Sequence, residues 1–98
     1  MRVFVGSVGC QLVVQPAVQR ARLLRRLAGL VLAAGGCGFD DVVEMTTYHI
    51  DMQRHMPLFR SVKDKVFPRG TCAWTCIGVS ELARPGLLVE IKCIAVQR

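Results

Sequence analysis

The sequence predicts an α+β subunit on three observations: two amphipathic helical stretches, four β-rich stretches, and the order β-α-β-α-β-β. That order sets both helices on one face of a sheet and leaves the other face needing cover. Apolar residues make up 52% of the 98 residues and charged ones 20%, which excludes a disordered, solvating chain. One domain, residues 1–98, is expected at this length, with a small core of its own.

Each element has a local cause. Val3-Phe4-Val5 reads as a short strand ending at Gly6-Ser7-Val8-Gly9. Pro16 to Ala34 reads as a helix whose apolar face is Ala17, Ala21, Leu24, Ala28 and Val31, with Leu27 at the edge. Gln19, Arg22 and Arg26 lie opposite. Leu23 and Leu30 fall on the polar side, which suits a helix covered by a neighbouring subunit. Gly35-Gly36 stops the helix. Val42 to Ile50 is β-branched and aromatic, hence a strand. A second helix follows, with Pro57 near its first turn and Leu58, Phe59, Val62 and Val66 inward. Arg60, Lys63 and Asp64 point elsewhere. Pro68-Arg69-Gly70 breaks this helix. Strands from Ala73 to about Leu82 and from Leu87 to Val96 close the chain, with Ala83-Arg84-Pro85-Gly86 as the turn between them.

Alternation sorts the polar residues of the last two strands. Trp74, Cys76 and Gly78 share one face, and Glu90 and Lys92 share another, so a tryptophan, a thiol and a carboxylate are expected to look into one space. The plain alternative makes Trp74 and Cys76 packing residues and Glu90 a solvated charge. Five cysteines (Cys10, Cys37, Cys72, Cys76, Cys93) are an odd, irregularly spaced set, a poor disulfide framework. Four residues along a strand span roughly 13 Å, so Cys72 and Cys76 would not share a zinc or a disulfide. Neither His49 nor His55 completes a ligand spacing, and no metal or cofactor is expected.

From Leu30 onward the chain resembles the Rid (YjgF) family of imine and enamine deaminases. Four pieces carry the resemblance: Val31-Leu32-Ala33-Ala34-Gly35 with Gly38-Phe39-Asp40-Asp41-Val42-Val43; Thr46-Thr47-Tyr48-His49; Cys76-Ile77-Gly78-Val79 with Leu82; and Val89-Glu90-Ile91-Lys92-Cys93-Ile94-Ala95. The resemblance implies a chorismate-mutase-like (RidA-like) subunit, assembled as a homotrimer with pockets between subunits. Cys76 and Glu90 match pocket positions of the family pattern. Where its deaminases carry an Arg that holds the substrate carboxylate, this chain has Trp74. An indole offers one N–H and no charge. The sequence is therefore more similar to the branch lacking that Arg. The family's leading β-hairpin is missing, as in an N-terminally shortened relative or in a fragment translated from an internal start.

Three functions follow as expectations. The first is hydrolysis of an imine or enamine, with Glu90 orienting water or moving the proton and Cys76 contacting substrate. Without the Arg, activity on 2-imino acids is expected to be weak or absent. The second is a non-catalytic trimer that binds a small apolar metabolite, in which Trp74 lines the pocket and Arg60 or Lys92 supplies any cation an acidic ligand needs. The third is RNA binding or cleavage, compatible with the net charge of +6 and with Arg20, Arg22, Arg25 and Arg26. Aromatics at 6% and the lack of a base-stacking motif weigh against nucleic acid. No apolar run reaches the ~20 residues of a membrane span, and no signal peptide opens the chain, so a cytoplasmic protein is expected.

Overall fold

The computed structural model describes residues 2–10, 17–67, 70 and 72–97. Pro16, Pro68 and Arg69 lie outside them, as do the side chains of Cys10, Ala17, Gln19, Arg20, Ala21, Arg22, Leu23 and Leu24. The elements are β1 (Arg2–Cys10), α1 (Ala17–Ala34), β2 (Val42–Ile50), α2 (Met52–Val66), β3 (Ala73–Val79) and β4 (Val89–Gln97), with a 3-10 turn at Phe39–Asp41. Their order is the expected one.

The four strands form one mixed sheet in the order β1-β4-β2-β3. The last strand is thus central, antiparallel to both β1 and β2. β3 runs parallel to β2, with α2 as the crossover. Residues 80–88 therefore join two strands that are not neighbours, in place of the short turn at Ala83-Arg84-Pro85-Gly86. Gly86 in this loop takes φ 89, a conformation glycine adopts without strain. β1 is longer than its three-residue apolar run suggested, because all nine of its residues pair with β4.

Both helices pack on one sheet face. β4 shows why: Val89, Ile91, Cys93 and Ala95 are buried, while Glu90, Lys92 and Ile94 between them are half-buried on the open face. β2 reaches the same alternation through a bulge between Val42 and Glu44. The extra residue lets Val42 and Met45 both face the helices while Val43 and Glu44 point away. Ala28 and Leu32 of α1 and Phe59, Val62 and Val66 of α2 close the core over these strands. Leu30 is 61% exposed, on the outward side the helical pattern gave it.

Helix ends follow backbone chemistry. Cys37 N–H donates to Leu32 O and Gly36 N–H to Ala33 O, both at 2.9 Å, with Gly36 at φ 73. This is a Schellman cap, in which the left-handed residue turns the chain back to satisfy the last carbonyls. α2 begins five residues before Pro57, which is thus inside the helix and not in its first turn. The chain reverses at Asp51 (φ 50), whose carbonyl accepts from the N–H groups of Arg54 and His55, so the helix starts directly after β2. Phe4 fills a gap left by Gly6 and Gly35: a Cβ on either would overlap its ring.

Candidate functional site

The sheet register separates two clefts, one on each face. On the helix-covered face, the parallel β2–β3 pairing sets Met45 beside Trp74, Thr47 beside Cys76 and His49 beside Gly78. The indole Nε1–H of Trp74 donates to Thr47 Oγ1 at 3.0 Å, and its ring lies 6.1 Å from that of Phe59. Lys63 Nζ stands 4.5 Å above the indole and the Arg60 guanidinium 6.0 Å from it. A cleft of about 350 Å³ opens here, lined by Arg60, Lys63, Asp64, Gly70, Cys72 and Trp74.

The two residues expected to bind ligand, Trp74 and Arg60, therefore do converge. Lys63, expected to point away, is instead 5% exposed. It sits four residues after Phe59 on the inner stripe of α2, with its ammonium over the Trp74 indole and bonded to Asp64 Oδ1 at 3.1 Å. That i, i+4 spacing was the available signal.

Behind Trp74 runs a buried polar thread. An indole can only donate, so Thr47 Oγ1 accepts from it, and the same hydroxyl shares a 2.7 Å hydrogen bond with His49 Nε2 whose direction follows the imidazole tautomer. His49 is 1% exposed and its ring meets Phe59 edge-on at 4.7 Å. Burial, then the neighbouring His55, holds the His49 pKa below 6.5. The unfolded chain thus takes up more protons than the folded one once pH falls below 6.5. Urea midpoints should be flat above that pH and drop on acidification, and His49→Gln should flatten the drop; an unchanged profile would contradict a histidine buried in its neutral form.

The open face carries the second cleft, of about 410 Å³. Tyr48 pairs with Glu90, and Ser7 with Lys92, and these four line it together with Val5, Val79, Leu82 and Glu81. Two carboxylates against one ammonium leave it a formal charge of −1 among the described residues. Glu90 thus faces away from Trp74 and Cys76, and the expectation of one common space fails within a single chain. Alternation fixes faces along each strand, but β2 lies between β3 and β4, and its Thr47 pairs with Cys76 while its Tyr48 pairs with Glu90. Cys76 lines neither cleft.

Cys37 and Cys93 are buried and Cys72 and Cys76 half-buried, with no disulfide among them. Burial, helped by Cys72, pushes the Cys93 thiol up to about 11, so it is inert as a nucleophile at neutral pH. Among the described residues no three His, Cys, Asp or Glu side chains gather as a metal site requires. No helix among them is long and apolar enough to cross a membrane.

The family model described as Endoribonuclease L-PSP matches residues 3–97. The chain belongs to the endoribonuclease L-PSP (YjgF/RutC) family. YjgH of Escherichia coli K12, a RutC family protein, is 37% identical over 78 residues, covering 79% of this L-PSP chain and 58% of YjgH. The RutC family protein slr0709 of Synechocystis is 35% identical over 80 residues, 81% of this chain and 59% of that one. The L-PSP chain thus spans just under three-fifths of the length of these curated relatives. A solved structure of YjgH superposes with a TM-score of 0.68 at 36% identity, over 83% of this chain and 62% of that one. Rv2704 of Mycobacterium tuberculosis, of the YjgF/YER057c/UK114 family, gives 0.70 at 26% identity, over 94% and 74%. Two helices on a four-stranded mixed sheet therefore match the part of these family structures that the chain covers.

Proposed function

We propose that this L-PSP chain binds a small imine or enamine in the open-face cleft and hydrolyses it, with Glu90 as the proton-transferring group. The observation that carries this reading is the pairing of Glu90 with Tyr48 on the floor of a cleft whose formal charge is −1. Glu90 protonates the enamine carbon to give an iminium ion, a cation that a net-negative cleft favours. Its carboxylate then takes a proton from the attacking water and passes it to the nitrogen, and as ammonia leaves the carboxylate takes the hydroxyl proton of the adduct, which forms the carbonyl and restores the carboxylic acid. Overall, an imine and one water give a carbonyl compound and ammonia.

The same charge disfavours 2-imino acids. Trp74, which stands at the family's carboxylate-gripping Arg position, has its one N–H already committed to Thr47. Lys92 is the sole cation lining this cleft among the described residues. Ammonia release should be faster from a ketimine lacking a carboxylate than from a 2-imino acid generated in situ by an amino-acid oxidase. Equal rates, or a preference for the imino acid, would overturn the assignment.

Homotrimeric assembly belongs to the same reading. Val3 (63% exposed), Val5 (54%) and Ile77 (39%) stand on the open face, an apolar surface suited to burial against further copies. A particle three times the chain mass in light scattering is expected; a monomer at all concentrations would leave the cleft half-walled and contradict it. A non-catalytic binding trimer is the second reading, favoured by the absence of Cys76 from the Glu90 cleft.

A further inference from the structure

We propose that the outward face of the two helices docks on an anionic phospholipid surface, with Arg25, Arg26 and Lys65 on the lipid phosphates and Leu30 entering the apolar boundary beneath them. This face lies across the sheet from Glu90, and so stands apart from the hydrolytic reading.

Charge carries the first part of the argument. α1 and α2 hold eight basic residues between them against Asp64 alone, a formal +7. The total is +6, so the whole of the rest of the chain carries −1. α1 has no Asp or Glu even in its first turn, where the helix dipole favours them, so helix electrostatics do not account for its four arginines. Arg25 donates from Nη2 to the Lys65 carbonyl at 3.2 Å, which sets basic positions of the two helices side by side. Among the described residues, no carboxylate lies in ion-pairing range of Arg25, Arg26 or Lys65; Asp51 meets Arg54, and Asp64 meets Lys63. Like charges gathered this way repel one another, and an anionic surface relieves the repulsion.

Apolar surface decides which anionic partner fits. Leu30 is 61% exposed, one turn beyond the exposed Arg26, and the exposed Ala33 and Ala34 follow it. At a bilayer such a leucine enters the headgroup region, while arginine stems lie along the apolar boundary and their guanidiniums reach the phosphates. A nucleic acid offers that leucine no partner. Bases stack on aromatic side chains, and neither α1 nor the exposed positions of α2 supply one. Assembly through the open sheet face, on the opposite side, leaves this face outward.

Purified protein should be sedimented with vesicles of phosphatidylcholine alone and of phosphatidylcholine mixed with phosphatidylserine, and titrated in parallel with a single-stranded RNA oligonucleotide by fluorescence anisotropy. Binding to the anionic vesicles alone is expected, lost at about 1 M salt, where the screening length falls to ~3 Å. Arg26→Gln should raise the vesicle Kd about fivefold, the ~1 kcal/mol of one basic residue at an anionic surface. Leu30→Gln should raise it at least as much and leave any RNA affinity unchanged. Both side chains are exposed, so circular dichroism should match the parent's. Equal sedimentation with neutral vesicles, or an unchanged vesicle Kd in either variant, would overturn the proposal; tighter binding to the RNA would overturn it in favour of a nucleic-acid face.

Discussion

Trp74→Ala is expected to destabilise the fold by about 3 kcal/mol, the lower end for removing a large aromatic side chain from a packed site. The indole joins β3 to β2 through Thr47 and to α2 through Phe59 and Lys63, so truncation opens a gap and frees three partners together. Trp74→Phe should cost about 1 kcal/mol, since it keeps most of the packing and loses the hydrogen bond to a hydroxyl that is 0% exposed. Trp74→Arg should also destabilise, because it sets a third cation against Lys63 and Arg60. Urea unfolding followed by circular dichroism measures all three. A Trp74→Ala midpoint equal to the parent's would show that the indole does not hold α2 to the sheet.

Glu90→Gln should lower ammonia release from a ketimine by about 100-fold, the lower range for loss of a general acid–base group. The amide keeps the shape of the carboxyl and its place beside Tyr48, so the fold should survive. The loss belongs in kcat, since proton transfer matters to the transition state more than to binding. Lys92→Met, which removes the cleft's one described cation, should shift substrate preference further from carboxylates with a smaller change in rate. A Glu90→Gln protein with parental turnover would move the reading to non-catalytic binding.

The two halves of the candidate site differ in how far the sequence reveals them. Val42–Ile50 is readable to its ends because nearly every residue in it favours an extended backbone, and the inward set Val89, Ile91, Cys93 and Ala95 follows from period-two alternation alone. Whether Glu90 shares a face with Trp74 depends on register between strands, a tertiary fact that alternation along one strand does not carry. The β2 bulge adds to this, since one extra residue at Val43–Glu44 inverts the faces upstream of it. Pro57 pointed to a helix start, its commonest helical place. The reversal at Asp51 starts the helix earlier, and the exposed Pro57 gives up one backbone hydrogen bond. Lys63 was hidden by its charge: composition assigns a lysine to water, although its i, i+4 spacing from Phe59 sets it on the inner stripe of α2, where its ammonium meets Trp74.

The strand order β1-β4-β2-β3 has a consequence for how the molecule comes into being. Both strands that flank β4 are synthesised before it, and neither pairs with the other. Until β4 has been made, β1 has no partner among the described strands, while β2 and β3 can assemble only as a parallel pair around α2. The nascent chain therefore carries an unattached apolar strand and a vacant slot in its sheet, the kind of exposed edge that recruits other chains. Inserting β4 closes the slot from both sides at once and makes β1–β4 pairing the contact of greatest sequence separation, with Arg2 meeting Gln97. Folding should then be slow for so small a chain and limited by that single insertion.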